Sequence, residues 1–131
     1  MAHQIRIALI GLGRVGETFA INFLERIQMQ HIDAKIVAVA DHKLDSPVMM
    51  GFAHSGASVF TDGLEIVKMG DQVDIIFDLS GNAAFRQKLR DALREGGNQH
   101  TVIAPEIIAN LVWAFFGEKE KMPSPHEKIG Y

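Results

Sequence analysis

The sequence predicts an α/β domain in which a mostly parallel β-sheet is covered by helices on both faces. Three observations favour this class. Short strand-like segments, rich in β-branched residues, alternate along the chain with segments of helical spacing. A glycine-rich turn separates the first strand from the first helix. The chain has 131 residues, 47% of them apolar and 22% charged, which suits the core of one ordinary domain.

The first 41 residues form a predicted βαβ unit. Residues 5–10 are rich in β-branched side chains and stop at a glycine, which is typical of a buried parallel strand. Residues 15–28 carry apolar side chains at the spacing of one helical face. Residues 34–40 repeat the strand pattern and end at Asp41. We expect the crossover between the two strands to be right-handed.

Shorter elements are predicted in the middle of the chain. Residues 47–55 indicate a short helix, and residues 57–60 indicate a short third strand. Asp62 is followed three residues later by Glu65, a pattern that resembles a capping box and predicts a helix through Met69.

A fourth strand is predicted over residues 73–79, where five of the seven residues are apolar. The turn at residues 80–82 carries its own helix cap, and Phe85 begins the apolar stripe of a helix that ends at Gly96. A fifth strand over residues 101–104 follows.

Pro105 occupies a first-turn position and starts a last helix that runs to about Phe116. Residues 118–131 are charged and contain two prolines, so we expect a flexible tail there. The predicted domain is therefore residues 1–117, with the tail at residues 118–131.

Composition excludes several classes of function. The formal charge of −3 argues against nucleic acid as a partner. The absence of cysteine removes disulfides, thiolate metal sites and a cysteine nucleophile, and the six histidines lack metal-ligand spacing, so we expect no metal. No signal peptide is recognisable, and the apolar stretch at residues 107–116 is about half the length of a membrane span. We expect a cytoplasmic protein with no membrane partner.

The pattern G-x-G-x-x-G at residues 11–16 lies directly after a predicted strand and directly before a predicted helix, the context in which this motif binds dinucleotides. Gly11 permits a tight turn, Gly13 permits the backbone to approach a pyrophosphate, and Gly16 permits close helix packing. The helix N-terminus favours an anion electrostatically. Alternatively, the glycines serve close packing alone, and Asp41 is an ordinary turn residue at the end of a strand.

Asp41 closes the second predicted strand, where a carboxylate is placed to bind the ribose hydroxyls of NAD and to repel a 2′-phosphate. Lys43 leaves NADP open, because its ammonium group could meet that phosphate. The turn after the fourth strand is placed to contact the rest of the ligand, although helix capping explains it equally well. The residues predicted to bind the cofactor are Gly11, Leu12, Gly13, Arg14, Val15, Gly16, Asp41, His42, Lys43, Leu79, Ser80, Gly81 and Asn82.

The last predicted helix is apolar around most of its circumference, whereas packing on one sheet needs a stripe of roughly 100°. We therefore expect a second covered face, which indicates a homodimer through this helix with Trp113, Phe115 and Phe116 at the seam. The alternative is that the C-terminal tail folds over this face.

With residues 11–16, Asp41 and the segment Val-Asp-Ile-Ile-Phe-Asp-Leu-Ser-Gly-Asn at 73–82, the chain resembles the NAD(P)-binding Rossmann domains of two groups of enzymes over about residues 4–104. They are the glucose-fructose oxidoreductase/inositol dehydrogenase family and homoserine dehydrogenase. The resemblance implies a three-layer Rossmann fold with about five parallel strands in the order 3-2-1-4-5. The sugar-type enzymes carry a catalytic lysine in a Glu-Lys-Pro motif after the fifth strand, but this chain has Ala-Pro-Glu at residues 104–106.

The chain also resembles the Rossmann-like domain of some bacterial signalling proteins, through its glycine loop, the Phe-Thr-Asp at residues 60–62 and the Gly-Asn turn. We therefore expect an NAD(P)-binding sensing or regulatory module without its own substrate domain. One alternative is an NAD-dependent oxidoreductase completed by a partner subunit. A second is a protein-interaction scaffold that binds no nucleotide.

Overall fold

The computed structural model describes residues 4–30 and 32–115. Its strands are β1 (Ile5–Ile10), β2 (Ala34–Ala40), β3 (Ser58–Phe60), β4 (Ile75–Asp78) and β5 (Val102–Ala104). Its helices are α1 (Arg14–Met29), α2 (Pro47–His54), α3 (Ala83–Glu95) and α4 (Glu106–Phe115), with a 3₁₀ segment at Gly63–Gln72. All strand pairs are parallel and the order is β3-β2-β1-β4-β5, which confirms the predicted fold class. The predicted tail at residues 118–131 lies outside the described residues.

Two apolar layers enclose the sheet. On one face α1, α2 and α4 pack on the sheet, and Phe19, Phe23 and Phe77 form a cluster there with ring centroids 5.3–5.7 Å apart. On the other face the 3₁₀ segment and α3 contribute Ile66 and Leu89. Each aromatic pair adds about 1 kcal/mol to the gain from burial. The two central strands are thus held between rigid layers.

The strand order changes direction between β1 and β4, so their carboxyl ends open a crevice in which such sheets bind ligands. The Leu79 N–H donates to the Ile10 carbonyl at 2.9 Å, and the Gly11 N–H donates to the Ala40 carbonyl at 2.9 Å. These bonds tie together the loops that follow β1, β2 and β4. These backbone hydrogen bonds therefore fix the positions at which the three loops begin.

The predicted capping box does not form. The Asp62 carboxylate accepts from the N–H of Leu64 at 2.9 Å instead of from that of Glu65, and Glu65 pairs with Lys68 at 3.0 Å. The segment is a 3₁₀ helix broken at Gly70, which has φ +61°. Because a 3₁₀ helix rises about 2.0 Å per residue against about 1.5 Å in an α-helix, the same number of residues spans more of the sheet.

The prediction that Trp113 lies at a dimer seam is wrong, because this side chain is only 8% exposed and packs in the protein's own core. Ala109, one turn earlier, is also buried, so this edge of α4 faces the sheet. Phe115 is exposed on the other side, and Phe116 lies outside the described residues.

A charged cluster closes the opposite end of the sheet. The Asp74 carboxylate accepts from the Arg6 backbone N–H at 2.7 Å and from the Arg6 guanidinium at 3.1 and 3.2 Å, and it contacts the His100 ring. The guanidinium, followed by the Arg6 N–H and His100, holds the pKa of Asp74 well below its usual range. The charged form of Asp74 therefore stabilises the fold.

Asp74 gives stability a defined pH dependence. A carboxyl whose pKa is lowered by folding contributes stability above its unfolded pKa, near 4, and loses that stability as the pH falls further. We expect Asp74→Asn to lower the free energy of unfolding at pH 7. On acidification this variant should lose less of that free energy than the wild type, so that the two curves of stability against pH converge between about pH 5 and pH 2. Urea unfolding across this range measures both curves, with Asp45→Asn at an exposed position as the control. Parallel curves would contradict this assignment.

Candidate functional site

A cavity of about 910 Å³ lies at the carboxyl ends of β1, β2 and β4. Its volume is that of a small-molecule site, for which about 300–1,000 Å³ is usual. The cavity is mostly apolar, with a few polar groups from separate loops. Its lining residues are Ile10, Gly11, Gly13, Gly16, Ala40, Asp41, His42, Thr61, Asp62, Gly63, Leu79, Ser80, Asn82 and Phe85.

The fold brings most of the predicted site residues to this cavity. Eight of them line it: Gly11, Gly13, Gly16, Asp41, His42, Leu79, Ser80 and Asn82. Leu12 directs its side chain into the core and is 2% exposed. Lys43 and Gly81 lie outside the lining. The backbones of Arg14 and Val15 belong to the first turn of α1.

Gly11 and Gly16 are required by local packing. Gly11 has φ +85°, and a Cβ there would lie 2.9 Å from the Ser80 backbone. A Cβ on Gly16 would lie 1.9 Å from the Gly11 carbonyl oxygen, so α1 packs directly on the loop. Both glycines are therefore needed for the fold with or without a ligand.

Gly13 differs from these two glycines. Its φ of −74° is open to any residue, and a Cβ there would meet nothing within 4 Å. Gly13 is exposed, lines the cavity and precedes α1 as its N-cap, where serine, aspartate or asparagine would be at least as stabilising. Packing does not account for glycine at this position.

Asp41 follows the end of β2 and is half-buried at the cavity. Its backbone N–H donates to the Phe60 carbonyl at 3.1 Å, which extends the pairing of β2 with β3. The backbone that carries the carboxylate is thus fixed by its pairing with β3. A carboxylate so placed can accept two hydrogen bonds from a vicinal diol.

The turn after β4 is organised by Asp78, which sequence reasoning missed. This residue is fully buried at the end of β4, and its carboxylate accepts from Arg86 Nε at 3.0 Å. The same carboxylate accepts from the Ser80 hydroxyl at 2.6 Å and from the Ser80 N–H at 3.1 Å. The sequence signal was an aspartate that directly follows the apolar run at residues 75–77, since a carboxylate buried at such a position needs partners.

The cavity also has a wall that was not predicted. Thr61, Asp62 and Gly63 enter it from the loop after β3, and Phe85 enters from the first turn of α3. A Cβ on Gly63 would lie 2.7 Å from the Phe85 ring, so glycine allows the two segments to touch. The Phe-Thr-Asp pattern is visible in the sequence, but the position of the following Gly63 against Ile10 and Phe85 depends on the tertiary structure.

The parallel sheet, its strand order and the crevice beside a glycine loop define the class: a Rossmann-type α/β domain. S. aureus homoserine dehydrogenase has a similar fold, with a TM-score of 0.57 at 20% identity over 91% of this chain and 31% of that chain. A probable dehydrogenase from Thermotoga maritima has a TM-score of 0.54 at 26% identity over 76% of this chain and 27% of its own. A scyllo-inositol dehydrogenase from Lactobacillus casei, with bound NAD(H) and scyllo-inositol, has a TM-score of 0.53 at 25% identity over 88% and 34%.

The predicted resemblance to the Rossmann domains of homoserine and inositol dehydrogenases is thus confirmed. The chain spans about a third of the length of these proteins. No protein-family model matches the chain, and no curated protein matches it in sequence. Over residues 4–30 and 32–115, every helix is too short or too polar to cross a membrane.

Proposed function

We propose that this chain is an NAD(P)-binding domain that holds NAD(H) in the cavity between β1, β2 and β4. The pyrophosphate lies against the Gly11–Gly16 loop and the N-terminus of α1, whose first-turn N–H groups have no partner within the helix. Of the residues predicted from the turn after β4, Leu79, Ser80 and Asn82 border the rest of the ligand. The Lactobacillus casei enzyme with bound NAD(H) supports this class of ligand.

The observation that carries the proposal is the environment of Gly13. If the glycines served packing alone, each of the three would have a steric or conformational reason, as Gly11 and Gly16 do. Gly13 has neither, but it lines the cavity at the helix N-terminus. A ligand that must touch the backbone at this point supplies the missing reason.

Two observations favour NAD over NADP. Asp41 lines the cavity at the end of β2, where its carboxylate would accept from ribose hydroxyls and repel a 2′-phosphate. Lys43, which could have neutralised such a phosphate, lies outside the lining. The bound cofactor would supply hydride chemistry, while this chain's own residues bind and orient it.

We infer a sensing or regulatory role for this site. In the sugar-type dehydrogenases that the sequence resembles, a catalytic lysine follows the fifth strand, and here β5 is followed by Pro105 and Glu106. The alternative is an oxidoreductase whose substrate pocket is completed by a partner. Absorbance at 340 nm with NAD⁺ and a panel of hydroxy acids and polyols separates the two, since turnover would overturn the regulatory role.

Thermal unfolding with NAD⁺, NADH, NADP⁺, NADPH, ATP and AMP tests the ligand. A ligand at about 100 times its Kd adds about 2.7 kcal/mol, which raises the melting temperature of a domain this size by several degrees. We expect a shift with NAD⁺ or NADH that is larger than the shift with either NADP form. No shift with any nucleotide would contradict the proposal and favour a scaffold that uses the fold for protein contacts.

A homodimer through α4 remains our proposal, with a different seam from the one predicted. Ile107, Leu111 and Phe115 are 68%, 54% and 79% exposed and follow one another at helical spacing. Val102 on the edge strand β5 is 60% exposed and lies on the element that α4 contacts. An uncharged stripe of this kind can pair with itself across a twofold axis, so the occupant we propose is a second copy.

Sedimentation at micromolar concentration checks the dimer. We expect the wild type to sediment as a dimer and Leu111→Asp to sediment as a folded monomer, since a charge at the seam would be buried without a partner. Met50→Asp places the same type of charge on an exposed apolar residue of α2 and is the control. A monomeric wild type would exclude the proposed interface.

A further inference from the structure

The buried ion pair beneath the cavity has a consequence for what the cavity can recognise. Asp78 is 0% exposed, and its two carboxylate oxygens are divided between neighbours. One accepts from Arg86 Nε at 3.0 Å. The other accepts both the hydroxyl hydrogen and the backbone N–H of Ser80, at 2.6 and 3.1 Å.

Ser80 is thereby restricted in its hydrogen bonding. A serine hydroxyl has one hydrogen and two lone pairs. Asp78 takes the hydrogen in a short, charge-assisted bond, and one lone pair accepts from the Asn82 N–H at 3.2 Å. One acceptor position remains on an exposed residue that lines the cavity.

The stability of the fold does not by itself explain why Asp78 is placed between Arg86 and Ser80. The N-terminus of α3 is already capped, since the Asn82 side chain accepts from the Phe85 N–H at 2.9 Å. A buried ion pair is also expensive to desolvate, and apolar residues of similar size often stabilise a fold equally well. The pair does, however, hold the Ser80 hydroxyl in one orientation.

We propose that Asp78 is a positioning residue that presents Ser80 to the cavity only as a hydrogen-bond acceptor. This inference rests on the proposed function and specifies which hydrogen-bonding groups the β4 end of that site accepts. The β4 end of the cavity selects a ligand group that donates a hydrogen bond, such as a ribose hydroxyl or a carboxamide N–H. Phosphate oxygens, which are acceptors, are directed away from Ser80 and toward the Gly11–Gly16 loop.

A double-mutant cycle read by calorimetric titration of NADH tests the inference. Ser80→Ala removes the acceptor and should weaken binding about fivefold, the worth of one hydrogen bond. Asp78→Asn should weaken binding by at least as much, because the amide can donate to Ser80 and release its hydrogen. In the double variant the Asp78 change should add almost nothing, since no hydroxyl remains to be oriented.

The outcomes separate this inference from the proposed function. An equal loss from Asp78→Asn in both backgrounds would show that Asp78 supports the fold only, and it would overturn the inference. Unchanged affinity in every variant would do the same while leaving NADH binding intact. A wild type that fails to bind NADH would overturn the proposed function and this inference together.

If Asp78→Asn does not fold, substitutions of Ser80 alone test the inference. Ser80→Thr keeps the hydroxyl and should retain affinity close to that of the wild type, while Ser80→Ala loses about fivefold. Equal binding by the two variants would overturn the inference. Circular dichroism of each variant confirms that the compared proteins are folded.

Discussion

Gly16→Ala is expected to destabilise the domain by about 3 kcal/mol or more, which lowers its melting temperature by about 10 °C. The added Cβ would lie 1.9 Å from the Gly11 carbonyl oxygen, and both partners are backbone, so relief requires α1 to move away from the loop. Thermal or urea unfolding without ligand measures this effect. Because the clash is independent of any nucleotide, we expect the loss in the absence of cofactor.

Gly51→Ala is the matched control for this substitution. Gly51 lies inside α2, is exposed, and has nothing within 4 Å of its added Cβ. Alanine there should stabilise the protein by about 0.5–1 kcal/mol through helix propensity. If Gly16→Ala and Gly51→Ala had the same effect on unfolding, the close approach of α1 to the loop would be refuted.

Gly13→Val is expected to weaken NAD(H) binding at least about a hundredfold, roughly 2.7 kcal/mol, while the fold survives. The side chain would enter open space in the cavity, where the pyrophosphate approaches the backbone. Replacing glycine at this N-cap costs about 1 kcal/mol or less. Calorimetric titration together with the melting temperature separates binding from stability.

Gly51→Val makes the same chemical change at an exposed glycine outside the cavity lining. It should leave the affinity for NAD(H) unchanged, so that the loss in Gly13→Val is specific to the site. Unaltered binding by Gly13→Val would remove the observation on which the proposed function depends. The opposite behaviour of Gly13 and Gly16 is therefore the sharpest test of the glycine loop.

Most secondary-structure elements could be predicted from the sequence, because their signals are local. β1 and β2 were predicted with their observed ends, since a run of β-branched residues ending at Gly11 or Asp41 is specific to a buried strand. The Asn82 cap of α3 was likewise visible in the turn itself. Cofactor binding by the residues predicted from the glycine motif stays a prediction.

The errors came where a local pattern competes with packing. Asp62 and Glu65 satisfy the capping-box pattern, yet contact of Gly63 with Phe85 and the break at Gly70 accompany a 3₁₀ segment. The apolar residues around α4 indicated more apolar surface than packing on the sheet requires, but periodicity could not show which of these residues would face the sheet. In the structure Trp113 is buried in the core, whereas Ile107, Leu111 and Phe115 are exposed.

The sequence by itself determined the class of fold, and it predicted the loop where a dinucleotide would be bound. These two conclusions rest on periodicity and on the glycine pattern, which act over a few residues, whereas the expected strand order came from the resemblance to Rossmann domains. Only the tertiary structure decided that Gly13 is free of packing demands, that Asp78 is buried against Arg86 and Ser80, and that Thr61–Gly63 line the cavity. The cavity lining depends on loops after separate strands meeting at one end of the sheet, and the burial of Asp78 depends on the layers that cover the sheet. Spacing along the chain encodes neither relation.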